Sequence, residues 1–93
     1  MLILGFRCEE TRQLFLTGTS RRWRSILNVA TRKLLMLHAA SELRDLRSPP
    51  GNRLEALQGS RAGQYSIRIN DQWRICFVWT DVGPRQVEIV DYH

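Results

Sequence analysis

The sequence predicts an α+β fold: a twisted antiparallel β-sheet with two N-terminal helices packed on one face. Three observations predict it. In the first half, apolar residues recur at helical spacing, at Ile26, Ala30, Leu34 and Leu37. In the second half they alternate with polar ones along Tyr65 to Ile69 and Trp73 to Trp79. Between the halves stands Pro49-Pro50-Gly51, which a helix cannot run through. At 93 residues the chain is expected to be one domain, 1–93, with a core of modest depth.

Met1 to Phe6 reads as a short strand. It is too short for a signal sequence or a membrane span before Arg7 intervenes, so a cytoplasmic location away from membranes is expected. Glu9 to Leu16 makes a first helix with Leu14 and Phe15 on its apolar side, stopped by Gly18. A second helix is expected from about Arg21 to Ser41, with Leu27 and Leu35 broadening its apolar stripe. One more helical turn fits Glu42 to Arg47. After the Pro-Pro-Gly break, Leu54 to Leu57 forms a short strand and Gly59 to Gly63 a turn. Tyr65 to Ile69 and Trp73 to Trp79 then pair across the Asn70-Asp71-Gln72 hairpin turn. A loop from Thr80 to Pro84 leads to the last strand, Arg85 to Asp91. Alternation places Ile67, Ile69, Ile75, Phe77 and Ile89 against the helices, and Ser66, Arg68, Arg74 and Cys76 on the opposite, open face.

With 43% hydrophobic and 25% charged residues the composition is that of a globular chain and argues against disorder, which leaves the sign of the charge as the informative statistic. The net charge is +5, and Lys33 is the only lysine among 14 basic residues. A planar guanidinium grips phosphate in a bidentate way and stacks on bases, so the arginine bias favours an anionic polymer or an acidic partner. A GC-rich coding sequence would produce the same bias. Cys8 and Cys76 lie far apart with no further ligand at metal-binding spacing, so neither a zinc site nor a disulfide framework is indicated. Nothing resembles a phosphate-binding glycine loop or a Ser-His-Asp arrangement, so no cofactor and no metal are expected. RNA cleavage by such a chain would use the substrate's own 2′-hydroxyl as nucleophile.

Asp91-Tyr92-His93 follows directly on the last strand and brings together three side chains that can handle protons or stack on a base. His93 titrates nearest neutral pH, and the adjacent carboxylates favour its protonated form, suited to general acid work. Tyr92 either stacks on a base or caps the sheet edge. Asp91 either orients His93 or closes the last hairpin. Arg74 in mid-strand is either solvated or placed to meet a phosphate and the charge that develops on it. Arg68, Arg61 and Arg53 are candidates to line the same groove and bind RNA. Glu55, the only carboxylate expected to enter it, is either a general base or an ion-pair partner of one of these arginines. His38 reads as a half-buried packing residue.

The stretch Pro49 to Leu57, then Arg61 to Ile75 with its Trp73-Arg74-Ile75 strand, and the closing Val87 to His93 closely resemble HigB-type toxins of the RelE/ParE superfamily. The resemblance covers the second half specifically and the first half in pattern only. It implies a RelE/ParE-like fold and a toxin of a type II toxin-antitoxin system that enters the ribosomal A site and cuts messenger RNA. It also implies a helix-turn-helix, HigA-like antitoxin whose complex with the toxin binds operator DNA. By position it assigns catalysis to Asp91, Tyr92, His93 and Arg74. Glu55 stands where some HigB toxins have a catalytic histidine, and Gln58 replaces a lysine common just before the family's glycine. Two other readings remain open: a non-enzymatic inhibitor of DNA gyrase, as in the ParE branch, and a basic nucleic-acid-binding module without turnover.

Overall fold

In a computed structural model that describes residues 2–92, helix α1 (Glu9–Thr17) and helix α2 (Leu27–Ala39) pack against a four-stranded antiparallel sheet. The strands are β1 (Glu55–Ala56), β2 (Tyr65–Arg68), β3 (Trp73–Thr80) and β4 (Gly83–Asp91), in the spatial order β1-β2-β3-β4. His93, expected to act in proton transfer, lies outside the described residues, as does Met1 at the start of the first expected strand.

Helix α1 ends as the sequence indicates: Gly18 takes the left-handed conformation (φ 71°) and its N–H donates to Leu14 O at 2.8 Å. The second helix is shorter than the stripe suggests. It starts at Leu27, after a 3₁₀ turn over Arg24–Ile26, and ends at Ala39, leaving Ser41 exposed. Ser20 Oγ accepts the Trp23 N–H at 3.1 Å, a local side-chain bond of the kind that competes with helix formation, and the indole of Trp23 is then buried in the core. Leu35, expected to broaden the apolar stripe, is 52% exposed. The turn expected after α2 is a 3₁₀ turn over Leu43–Arg47. Asp45 closes it by accepting the N–H groups of Ser41 and Glu42, both at 3.0 Å, which holds its carboxyl below the usual carboxylate range. Pro50 opens a further 3₁₀ turn over Pro50–Asn52, where its missing N–H costs nothing.

The first expected strand is instead an extended segment beside β4. Leu4 N–H donates to Pro84 O at 2.8 Å and Val87 N–H to Gly5 O at 3.1 Å, with one parallel bridge between Phe6 and Val87. The loop expected between the last two strands shrinks to Asp81 and Val82, because Thr80 Oγ1 donates to Gly83 O at 2.6 Å and tightens the turn. In β4 the register shifts opposite Phe77, where Gln86 adopts φ 53°. This bulge inserts one residue and re-aims the strand, so that Val87 and Ile89 enter the core while Glu88 pairs beside Cys76 on the other face.

Leu14, Ala30, Leu34 and Leu37 from the helices meet Ile67, Ile69, Ile75, Phe77, Val87 and Ile89 from the sheet, and all ten are buried. Burial of each larger side chain contributes roughly 1.5–3 kcal/mol against the conformational entropy of ordering it. Buried Thr11 ties α1 to β4, its Oγ1 accepting the Ile89 N–H at 3.0 Å. His38 is half-buried: its Nδ1 accepts the Ile3 N–H at 3.2 Å and its ring lies 5.1 Å from that of Phe15.

Candidate active site

The sheet face turned away from the helices is set by pairing. Glu55 lies across from Ser66, Ser66 from Cys76 and Cys76 from Glu88; in the next row Arg68 lies across from Arg74 and Arg74 from Val90. Cross-strand partners share a face, so these residues form one surface. That surface is not the open one the alternation suggested. Ser66 is 0%, Cys76 1% and Arg74 6% exposed. The chain leaving the Pro50–Asn52 turn and Tyr92 at the end of β4 both come against this face, in the contacts that follow.

A guanidinium taken out of water needs a partner in each direction it donates, and Arg74 has them. Its Nε donates to Ser66 Oγ at 2.8 Å and its Nη2 to the backbone carbonyl of Arg53 at 2.6 Å. Nη1 stands 3.6 Å from Glu55 Oε1, and the Tyr92 ring covers Cζ at 4.9 Å from the ring centroid. The Tyr92 hydroxyl donates to the same Glu55 oxygen at 3.1 Å, and the Tyr92 N–H to Gln72 O at 2.6 Å. Arg74, Glu55 and Tyr92 therefore converge from three strands or strand ends. Arg74 is fixed and buried, whereas Glu55 and Tyr92 are exposed on their outer sides.

Arg53 contributes through its backbone. It adopts a left-handed conformation (φ 45°), uncommon for a residue with a side chain, and so turns its carbonyl toward Arg74. Asn52 just before it is fully buried, donating to Leu46 O at 3.1 Å and accepting a hydrogen bond from Lys33 Nζ. The chain's one lysine is thus buried against a neutral amide, and burial, aided by Arg32 and Arg68, pushes its pKa down.

Beside Tyr92 a cavity of about 300 Å³ is lined by Leu57, Arg61, Cys76, Val90, Asp91 and Tyr92. Arg61 reaches it already engaged: its Nη1 lies 3.2 Å from Glu88 Oε2, and Arg7 Nε is 3.6 Å from the same oxygen. Glu88 is a second carboxylate on this face, so the expectation that Glu55 alone would enter it is corrected. Alternation that turns Ile89 to the helices turns Glu88 to this face, where it pairs across from Cys76. Arg68 belongs to the Arg74 row but is paired with Asp71. Asp91 lies across from Trp73 on the helix-side register, and its Oδ2 accepts from Gln72 Nε2 at 3.2 Å. The Cys76 thiol, pushed up in pKa by burial, is a wall of the cavity and not a nucleophile.

Of the sequence candidates, Arg74, Glu55 and Tyr92 are brought together, with Arg61 across the adjoining cavity. Arg68 is engaged by Asp71, and Asp91, which lines the same cavity, accepts from Gln72. Ser66 and Glu88 are the residues the sequence reading missed; a polar residue in an alternating strand carries no sign that another segment will cover it.

A family model described as "RelE-like toxin of type II toxin-antitoxin system HigB" matches residues 5–93. Among curated proteins, "Toxin HigB-1" of Vibrio cholerae is 53% identical over 57 residues, covering 61% of this chain and 60% of that protein. An uncharacterised protein of Haemophilus influenzae is 43% identical over 53 residues, covering 57% of this chain and 52% of that one. The chain thus matches between half and two thirds of the length of these relatives. A solved structure titled "YoeB/ParE toxin from Agrobacterium tumefaciens" superposes with a TM-score of 0.53 at 19% identity, covering 100% of this chain and 99% of that one, a likeness of fold.

Proposed function

Because this chain belongs to the HigB-like family of RelE-like toxins of type II toxin-antitoxin systems, we propose that it is an endoribonuclease that cuts messenger RNA on the translating ribosome, using no metal. The observation that carries the reading is the convergence of Arg74, Glu55 and Tyr92 beside a cavity of about 300 Å³.

In the proposed reaction the 2′-hydroxyl attacks the adjacent phosphorus in line. Its proton leaves to a base, the P–O5′ bond breaks, and the 5′-oxygen takes a proton from an acid, leaving a 2′,3′-cyclic phosphate and a 5′-hydroxyl. Arg74, held in place by Ser66 and the Arg53 carbonyl before substrate arrives, meets the extra negative charge on the phosphoryl oxygens once Glu55 and the Tyr92 ring give way. Tyr92 stacks on or orients a base, which in the free protein is prefigured by its ring lying on Arg74. His93 and Asp91 take part in proton transfer by the family pattern. Glu55 shares the base's work, as the carboxylate within reach of both Arg74 and Tyr92. RNA binding is assigned to Arg61, Arg68 and Arg53, for which Arg61 and Arg68 must exchange Glu88 and Asp71 for phosphate. The partners in this reading are the ribosome with its message and a HigA-like helix-turn-helix antitoxin, through which the complex reaches operator DNA, all in the cytoplasm. No helix among the described residues is long and apolar enough to cross a membrane.

The test is to add the protein to translating ribosomes and map new 5′ ends. New ends within the A-site codon are expected, and they should vanish with Arg74→Ala and with His93→Gln while both variants stay folded. Intact transcripts beside trapped gyrase–DNA complexes would favour the gyrase-inhibitor reading instead, and cleavage retained in both variants would remove the site.

A further inference from the structure

A second cavity, about 400 Å³, lies along the edge strand β1 and is lined by Leu43, Arg44, Arg47, Leu54, Glu55 and Tyr65. Pairing puts Ala56 and Tyr65 on the helix-side register of the sheet, whereas Glu55 belongs to the face that carries Arg74. The cavity therefore begins where the Arg74–Glu55–Tyr92 cluster ends, with Glu55 as the shared rim. Its chemistry differs from that of a packing defect. Leu43 and Leu54 give it apolar walls, while Tyr65, half-buried and stacked on Phe77, offers a ring edge and a hydroxyl that makes no hydrogen bond among the described residues. Arg47 is exposed and has no acidic partner among the described residues, unlike Arg44, whose Nε is taken up by Glu42 at 2.8 Å. An apolar slot with one hydroxyl and one free guanidinium at its mouth suits a heterocyclic base attached to a phosphate.

We infer that this groove is a nucleotide subsite: it takes the base next to the scissile linkage between Leu43, Leu54 and Tyr65, with that nucleotide's phosphate on Arg47. The inference rests on the endoribonuclease reading and deepens it. Message passing from the Tyr92 cavity over the Glu55 rim into the β1 groove is bent across the sheet edge at the linkage to be cut, which brings a 2′-hydroxyl toward the in-line position. The Tyr65 hydroxyl distinguishes bases by what it can bond, so this subsite contributes to codon preference.

The experiment uses the full chain on ribosomes programmed with messages that differ only in the nucleotides flanking the cut. Arg47→Ala and Tyr65→Phe are compared with the unaltered protein, with thermal unfolding as the check on folding. Arg47→Ala is expected to raise KM about tenfold on every message with kcat within about twofold, the loss of one charged phosphate contact. Tyr65→Phe is expected to flatten the preference among bases at one flanking position by about tenfold while leaving the other positions alone. Cleavage by both variants with unaltered KM and unaltered preference overturns the subsite. So does weaker binding of Arg47→Ala than of the unaltered protein to ribosomes whose A site holds no message, since Arg47 would then touch ribosomal RNA. Absence of any cleavage by the unaltered protein is a different failure, which removes the parent reading and the subsite with it.

Discussion

Arg74 illustrates how much of a residue's role depends on what covers it. Its buried guanidinium is held by Ser66 Oγ, the Arg53 carbonyl, Glu55 and the Tyr92 ring, an arrangement that needs a planar fork with several fixed donors. Arg74→Lys keeps the charge and loses the fork, so it is expected to fall nearly as far as Arg74→Ala, about 10²–10³-fold in kcat, as when an oriented donor to a developing oxyanion is removed. Single-turnover cleavage of ribosome-bound message measures it; a lysine variant within about tenfold of the unaltered protein would mean that charge alone suffices. Tyr92→Phe separates the ring from the hydroxyl. The ring still covers Arg74 while the hydrogen bond to Glu55 is lost, so cleavage is expected to drop less than with Tyr92→Ala in the same assay. Arg74, Glu55 and Tyr92 were legible in the sequence because charge in mid-strand and an aromatic beside acid and histidine are unusual. Their mutual contacts were not, since they join residues 55, 74 and 92 through long-range folding.

Between the helical half and the sheet, the Pro50–Asn52 turn transmits order to the site. Lys33 on α2 donates to Asn52, Asn52 donates to Leu46 O, and the next residue presents its carbonyl to Arg74. Lys33→Met and Asn52→Leu each leave a buried polar group unsatisfied, so each is expected to cost about 1–3 kcal/mol in urea unfolding, and the double variant less than their sum. Additive costs would show that the pair is not coupled. Both singles should also weaken cleavage beyond their effect on the folded fraction, because Arg74 loses a fixed acceptor. The pH dependence has a definite sign. Burial lowers the Lys33 pKa in the fold, so the charged form is penalised at all pH values below that lowered pKa, and the penalty disappears as pH rises toward the ordinary value of 10.5. In that alkaline window the unfolded chain binds the extra proton, and the Lys33 contribution to stability rises with pH. Lys33→Met should flatten this rise when unfolding is followed upward through the alkaline range toward the ordinary value of 10.5. Element types were readable from periodicity, but the start of α2 and the β4 bulge were not. Ser20 and Gln86 decide those through local hydrogen bonding and a left-handed backbone, neither of which leaves a trace in an apolar pattern.

At the scale of the whole molecule the excess charge is not where an arginine count would put it. Arg61, Arg68 and Arg74, the guanidiniums of the candidate face, all have carboxylates within 4 Å, as do Arg7, Arg12, Arg22 and Arg44. The net charge of +5 is therefore expressed by arginines without acidic partners among the described residues, of which Arg47 and Arg53 border the site and Arg21 and Arg24 lie in the segment leading into α2. The α+β class was legible in the sequence because it depends only on which residues are apolar. The distribution of free charge depends on which acids fold beside which bases, and that is a property of the tertiary structure. It makes a quantitative expectation for a short single-stranded RNA with blocked 2′-hydroxyls. If binding is confined to the site, Arg47, Arg53, Arg61 and Arg68 contact about four phosphates, and the log–log dependence of affinity on salt has a slope of about −2.8. Arg47→Gln should reduce that slope by about a quarter, and Arg21→Gln with Arg24→Gln should leave it unchanged. A slope near −4 for the unaltered protein would mean that the approach to α2 is also engaged, and the polyanion would then cross the helical side of the molecule as well as the cleft between Tyr92 and β1.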